Sequence, residues 1–216
     1  MFPCLGLGKV LADEIRDWDT AYSLTGEHAL ADNHLLTTLP RMTKEWKVSF
    51  QVKPTDYSFA SYANVLHMTI GGKGLGSGSK VGDRTPAIWT HSTKGFLVAS
   101  AVGGKFSYSK YFKALPSTDK WILIEVSQEM KENAMIYSIT IGENEVLSVK
   151  NSRPSEFENV QVFASSSWYS PVNGFIKNLL IENKNEGRSK DNYIFLFLFI
   201  NYSIAAQPPS YMCVSK

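Results

Sequence analysis

The chain has 216 residues, of which 44% are hydrophobic and 19% charged, and its formal net charge at pH 7 is +2. This composition is ordinary for a globular protein, and a chain of this length buries enough apolar surface to need no disulfide framework. The small net charge, with lysines and acidic residues interspersed, argues against nucleic acid as a partner.

Residues 1–34 are predicted to form a lead-in that is partly helical or extended. Between Val10 and Tyr22 the apolar residues fit one face of a helix, but an extended segment along a sheet edge explains them equally well. No secretory signal is recognisable at the start, because no basic residue precedes the apolar stretch, which Lys9 interrupts. Either the protein is cytosolic or the sequence lacks its true start.

From Glu45 onward the pattern becomes that of β-strands. Trp46, Val48, Phe50 and Val52 alternate with polar residues, which predicts a half-buried strand. Comparable β-prone runs follow at 64–70, 86–91, 95–102, 105–111, 120–128, 135–141, 145–150, 160–162 and 175–181. In the second run, Leu66, Met68 and Ile70 are predicted to share one face, opposite Val65, His67 and Thr69.

The turns between these runs are short. Gly103 and Gly104 predict a two-residue hairpin turn, because glycine supplies the positive φ values that such turns need. Short strands at regular spacing, without interposed helices, indicate an all-β fold of the two-sheet sandwich type.

The region from Gly71 to Gly82 is rich in glycine and serine and predicts a loop. The phosphate-binding motifs require Gly-Lys-Ser/Thr or G-x-G-x-x-G at the start of a helix. Neither spacing occurs here, and Pro86 with a β-prone run follows instead of a helix. Phosphate binding is therefore not expected.

Residues 184–216 are predicted to be a linker and an atypical apolar tail. The apolar run 193–200 is too short for a bilayer span, which needs about 20 residues. It is an extra buried strand, an unstructured tail, or sequence foreign to the natural domain, and we favour the last because an unpaired run of this kind promotes aggregation. Cys4 and Cys213 lie near opposite ends, where free thiols are favoured over a clasp between the termini.

Five segments together resemble a known fold family: residues 44–50, 64–72, 82–89, 115–121 and 162–169. Their order is similar to that of concanavalin A-like and laminin-G-like jelly-roll domains, and in particular to a divergent group of secreted invertebrate domains. The resemblance spans residues 35–183, for which it implies a two-sheet antiparallel jelly-roll sandwich, and it implies an extracellular setting. It implies no single function, because this superfamily includes lectins, adhesive modules and glycosidases.

Catalysis is not expected from the residues. Glycosidases of this superfamily use paired carboxylates on one strand, and the nearest candidates here are Glu125 and Glu129. Ser127 occupies the position where the middle carboxylate of that arrangement should be. We therefore interpret both glutamates as ordinary charged surface residues.

Metal binding has only weak support in the sequence. His67 and His91 lie on neighbouring predicted strands, but a zinc site needs a third ligand and none is evident. Calcium is an option that the laminin-G-like resemblance implies, with Asp83 and Asp119 as available oxygen ligands. No other cofactor is expected.

The remaining hypothesis is recognition of a sugar by aromatic side chains, since sugar rings stack their C–H faces on Trp or Tyr while polar groups bind the hydroxyls. The predicted ligand-binding residues are His67, Asp83, Arg84, Trp89, His91, Trp168 and Tyr169. Trp89 and His91 share strand parity and should face the same way. In the competing interpretation, Trp89 belongs to the core and Asp83 with Arg84 forms a structural ion pair.

The sequence therefore predicts a non-enzymatic extracellular binding module for carbohydrate or a glycosylated matrix partner. The alternative is a structural or adhesive domain with protein-to-protein contacts, and a degenerate glycoside hydrolase is the remote third hypothesis. A membrane span is not expected, and the oligomeric state is left open.

Overall fold

Twelve β-strands account for the regular structure of the computed structural model, which describes residues 18–57, 61–71, 80–113 and 117–184. In chain order they are β1 Trp18–Ala29, β2 Leu35–Met42, β3 Trp46–Pro54, β4 Tyr62–Thr69, β5 Ala87–His91, β6 Gly95–Val102, β7 Lys105–Phe112, β8 Ile122–Lys131, β9 Ala134–Ile141, β10 Asn144–Lys150, β11 Phe157–Phe163 and β12 Gly174–Lys184. Within these ranges no helix is long and apolar enough to cross a membrane.

The strands form two six-stranded sheets in which every neighbouring pair is antiparallel. Sheet A has the order β1-β12-β3-β8-β9-β10, and sheet B has the order β2-β11-β4-β5-β6-β7. The predicted all-β, two-sheet antiparallel jelly-roll sandwich of the concanavalin A-like kind is thereby confirmed.

The main core lies between the sheets and follows the alternation of the sequence. In β3 the buried residues alternate strictly with partly exposed ones, from Trp46 to Pro54, as predicted. Sheet A also contributes Ile124 and Val126, and sheet B contributes Ile88, Phe96 and Val98. Burial of each such side chain contributes about 1.5–3 kcal/mol, so these rows dominate the stability of the sandwich.

Strand β1 falls within the part of the sequence that was predicted to be a lead-in. It pairs along most of its length with β12, from Trp18 opposite Lys184 to Ala29 opposite Phe175. The segment from Val10 to Tyr22 was predicted to be either helical or extended, and its described part, residues 18–22, is extended. Among the described strands, β1 is therefore an edge strand of sheet A.

Strand β4 departs from the predicted alternation. A β-bulge between Asn64 and Leu66 places Val65 in the main core together with Leu66. Ile70, predicted to face inward, lies just beyond the strand and is exposed. His67 and Thr69 on the other face are buried as well, so β4 is covered on both sides.

The predicted hairpin turn at Gly103 and Gly104 is confirmed. Both residues have positive φ, 65° and 75°, and they join Val102 directly to its partner Lys105. The predictions for residues 1–17 and 185–216, including the apolar tail, Cys4 and Cys213, lie outside the described residues.

We predict that Gly95→Ala destabilises the protein strongly. Gly95 has φ +90°, and a methyl group there would collide with the carbonyl oxygen of Phe112 on the neighbouring strand. The loss should exceed about 3 kcal/mol, measured by denaturant unfolding. Gly142→Ala is the matched control: its φ is +65° and its Cβ would meet nothing within 4 Å, so only the backbone penalty of about 1–2 kcal/mol applies. Equal losses in the two variants would contradict the steric argument.

Candidate functional site

The outer face of sheet B, directed away from sheet A, carries a second hydrophobic cluster. Ile88 points into the main core, so its neighbours Ala87 and Trp89 point to the outer face. There they pack with Ala99 and with Trp168, while Leu97 and Tyr169 lie partly buried against the cluster. Trp89 is only 3% exposed, and it is buried in this second cluster rather than in the main core.

Trp168 and Tyr169 belong to residues 164–173, the covering loop between β11 and β12, which lies over this face. Asn64 holds the loop from below. Its side-chain amide donates to the carbonyls of Ser166 and Tyr169, both at 2.8 Å. Its backbone N–H donates to the Ser170 carbonyl at 2.8 Å, and its carbonyl accepts from the Val172 N–H at 3.0 Å. Each bond contributes about 1 kcal/mol, and together they fix the loop in one position.

His67 joins the covering loop to the loop before β5. Its Nε2 lies 2.7 Å from the Asp83 carbonyl oxygen, and its Nδ1 lies 2.9 Å from Ser166 Oγ. Because a carbonyl can only accept, Nε2 carries the proton and Ser166 donates to Nδ1. Burial lowers the pKa of His67 to about 4, against an opposing contribution from the bond to Asp83. The ring is therefore neutral near pH 7 and serves as a structural link, 4.4 Å from the Trp168 ring.

The Asp83–Arg84 pair lies at the edge of the same cluster. The Asp83 carboxylate is buried and accepts from the Lys80 backbone N–H at 2.9 Å. The Arg84 guanidinium lies 4.8 Å above the Trp168 ring and 5.8 Å from the Phe106 ring. Partial burial lowers the pKa of Arg84, and the charge of Asp83 opposes that shift. Arg84 thus covers Trp168 and presents a cation at the surface.

Beside the buried cluster, four partly exposed rings form what we call the tyrosine patch: Tyr62, His91, Tyr111 and Tyr169. Tyr62 is central, with ring centroids 4.8 Å from His91 and 5.1 Å from Tyr169. His91 in turn lies 6.0 Å from Tyr111, which is 42% exposed.

Polar groups border the tyrosine patch. The hydroxyls of Tyr62 and Tyr111 are hydrogen-bonded to each other, and this bond is the main cause that raises the pKa of Tyr111 to about 12. The Lys94 ammonium lies 4.9 Å from the Tyr111 ring. The patch therefore combines apolar ring surfaces with hydroxyl groups, and the cations Lys94 and Arg84 lie near it.

The structure brings the seven predicted ligand-binding residues to one face of sheet B, but at different depths. His67, Asp83, Trp89 and Trp168 are buried and support the surface from below. Arg84, His91 and Tyr169 are partly exposed. As predicted from strand parity, Trp89 and His91 share the outer face. Sequence reasoning missed Tyr62 and Tyr111, although Tyr62 lies two residues before the predicted strand 64–70 and Tyr111 ends the predicted strand 105–111.

The proposed metal ligands do not converge. Asp83 precedes β5, near the end of β4, whereas the Asp119 backbone N–H donates to the Pro54 carbonyl at the end of β3. Both ring nitrogens of His67 are engaged by protein atoms. Within the described ranges, no three His, Cys, Asp or Glu side chains are grouped so that they would hold a metal ion.

The two glutamates considered for catalysis lie on the other sheet. Glu125 and Glu129 line a groove of about 290 Å³ on the outer face of sheet A, together with Glu145 and Glu182. Lysines share this groove, and the Lys47 ammonium lies 3.3 Å from the Glu129 carboxylate. The Glu129 carboxylate is thus engaged in a salt bridge.

No protein-family profile matches the sequence, and no curated protein matches it. Solved structures do match. The CBM40 module of the Ruminococcus gnavus IT-sialidase, bound to α2,3-sialyllactose, superposes with a TM-score of 0.54 at 12% identity, covering 82% of this chain and 98% of that one. A leech intramolecular trans-sialidase, in complex with 2,7-anhydro-Neu5Ac, gives a TM-score of 0.54 at 8% identity, covering 80% and 27% respectively. Identities this low establish the shared fold alone.

We predict that His67 makes the stability of the protein depend on pH. Its pKa is about 4 in the folded state and 6.5 ordinarily, so the unfolded chain binds a proton that the folded chain excludes. Stability should therefore fall by about 3 kcal/mol as the pH drops from about 6.5 to about 4. Denaturant unfolding of His67→Gln should show a lower stability at pH 7 but a flatter dependence on pH.

His28→Asn is the control for this measurement. His28 is partly exposed, and among the described residues its ring bonds the carbonyl of Thr25, at 3.0 Å. This variant should keep the pH dependence of the parent protein. A His67→Gln variant as pH-dependent as the parent would show that other groups are responsible.

Proposed function

We propose that this protein is a carbohydrate-binding module that binds glycans at the tyrosine patch without acting on them. The observation that carries the proposal is the meeting of Tyr62, His91, Tyr111 and Tyr169 on one open sheet face. Rings held rigidly by a sheet and a fixed loop offer a preformed surface for the C–H face of a sugar. Such a surface loses little conformational entropy on binding.

The polar surroundings of the patch suit sugar hydroxyls. The phenol groups of Tyr62 and Tyr111 each donate and accept, and His91 has two ring nitrogens. Thr93 bonds His91 Nδ1 through its backbone N–H at 3.2 Å, which leaves Nε2 of that ring as the group to face a ligand. Lys94 adds a donor at the margin of the patch. Few, well-placed polar groups around ring surfaces are typical of sugar sites.

The comparisons support a glycan ligand in one respect. The CBM40 module, which matches this fold along nearly its whole length, is bound to α2,3-sialyllactose. We infer from this architecture and from the laminin-G-like resemblance that the module works outside the cell on glycans or glycoproteins. The same proposal includes calcium as a possible cofactor of glycan binding, so the affinity should be measured with and without calcium.

A structural or adhesive role through protein contacts is the competing function. Exposed hydrophobic residues, among them Phe106 and Tyr111 on the edge strand β7, are the observation that favours it. Competition distinguishes the two functions. Free oligosaccharide should displace a partner that is bound through a glycan, but it should not displace a partner that is bound through protein contacts.

The test is binding of the whole chain to a glycan array, followed by measurement of affinity for the best oligosaccharide. Tyr111→Ala should weaken binding by about tenfold or more, because it removes an exposed stacking ring and the partner of the Tyr62 hydroxyl. Tyr111→Phe should have a smaller effect, since it keeps the ring.

Phe106→Ala is the matched control for Tyr111→Ala. It lies on the same strand and is equally exposed, at 43% against 42%, but outside the tyrosine patch. It should leave glycan affinity unchanged. Loss of binding in both variants, or no binding to any glycan with or without calcium, would argue against the proposed function.

A further inference from the structure

A second group of aromatic and charged residues lies on the outer face of sheet A. In β3 and β12, Val52 and Ile176 point into the main core, so Lys53, Phe175 and Lys177 point outward. Trp121 precedes β8 beside them, since its neighbour Ile122 pairs with Val52 and packs against the core. We call Lys53, Trp121, Phe175 and Lys177 the indole–lysine cluster.

Two ammonium groups converge on one indole in this cluster. Lys177 Nζ lies 4.1 Å from the Trp121 ring centroid, and Lys53 Nζ lies 4.8 Å from it. Lys53 Nζ is also 4.9 Å from the Phe175 ring. All four side chains are partly exposed, so a ligand can reach the rings and the ammonium groups together.

The charge of the cluster is not balanced. Glu27, whose backbone is paired with that of Lys177 across β1 and β12, forms a salt bridge with Lys53 Nζ at 3.0 Å. Within the described part of the chain, Lys177 has no ion-pair partner. Two cations against one carboxylate leave the cluster net positive, and cations that share a ring repel each other. An anionic group placed between them would relieve that repulsion.

We propose that the indole–lysine cluster is a second ligand site, which takes an acidic sugar unit. Lys177 with Lys53 binds its carboxylate, and the exposed part of the Trp121 ring, beside the two ammonium groups, contacts C–H groups of the sugar. Gln51 lies two residues before Lys53 on the outer face of β3, its backbone is paired with that of Lys177 on β12, and its Oε1 accepts from the Asn178 amide at 3.4 Å. It is placed to bind a hydroxyl of the same sugar.

The neighbouring groove limits what the site accepts. Along β3 the outward residues continue from Lys53 and Gln51 to Ser49 and Lys47, which line the groove with its four glutamates. Those carboxylates repel further negative charge at that end. The cluster is therefore suited to a single acidic unit and not to a polyanion that runs along the sheet.

This site is independent of the tyrosine patch, which lies on the other sheet, and the experiment separates the two. The probe is methyl glucuronide, with methyl glucoside as its neutral counterpart, titrated into the whole chain at low salt. The readout is the indole N–H signal of Trp121 in NMR spectra, assigned by its disappearance in Trp121→Phe. Glucuronide should shift this signal in a saturable way, with an affinity about tenfold above that of the glucoside.

Lys177→Gln should weaken glucuronide binding by about tenfold and leave glucoside binding unchanged, because it removes a charge-assisted bond to the carboxylate. Lys94→Gln is the matched control: its ammonium lies 4.9 Å from a ring on the other sheet, and it should have no effect. Tyr111→Ala should also leave this titration unchanged, whatever it does to the proposed glycan site. No saturable shift, equal affinity for both sugars, or full affinity in Lys177→Gln would overturn the proposal.

Discussion

Burial of strand β4 on both faces is the constraint on which the rest of this structure depends. One face supplies Leu66 and Met68 to the main core, and the other carries Asn64 and His67 under the covering loop. Polar groups buried at such a place must be hydrogen-bonded, because each unsatisfied one costs about 1–3 kcal/mol. The Asn64 side-chain NH₂ and both ring nitrogens of His67 meet that requirement by bonding to backbone carbonyls and to Ser166, whereas Asn64 Oδ1 is buried without a hydrogen bond from any described residue. The bonds that form determine where Trp168 and Tyr169 lie.

The covering loop in turn separates supporting residues from accessible ones. Trp89 and Trp168 have the largest ring surfaces on this face, yet both are buried in the second cluster. Their burial stabilises the loop, and the loop places Tyr169 against Tyr62 at the edge of the open surface. The sandwich thus holds a set of accessible rings rigidly, which is what a shallow recognition surface requires.

The two outer faces of the sandwich differ in chemistry. Sheet B presents tyrosines with hydroxyls bonded to each other, and its cations lie at the margins, over Tyr111 and Trp168. Sheet A presents lysines stacked on Trp121 at one end and a groove of glutamates and lysines in its middle. A single domain of this architecture therefore offers two chemically distinct surfaces, one mainly neutral and one strongly charged.

The sequence by itself determined the all-β class, the alternation of β3 and the glycine turn at 103–104, because these depend on neighbouring residues along the chain. It also indicated that Trp89 and His91 share a face, since strand parity is local. Only the tertiary structure decided which side chains meet at the surface. Tyr62 and Tyr111 are 49 residues apart in the chain, and Lys53 and Lys177, which both lie over Trp121, come from different strands. Their convergence follows from the order of the strands in the sheets and from the bulge at Val65. The periodicity of the sequence predicts neither the strand order nor the bulge.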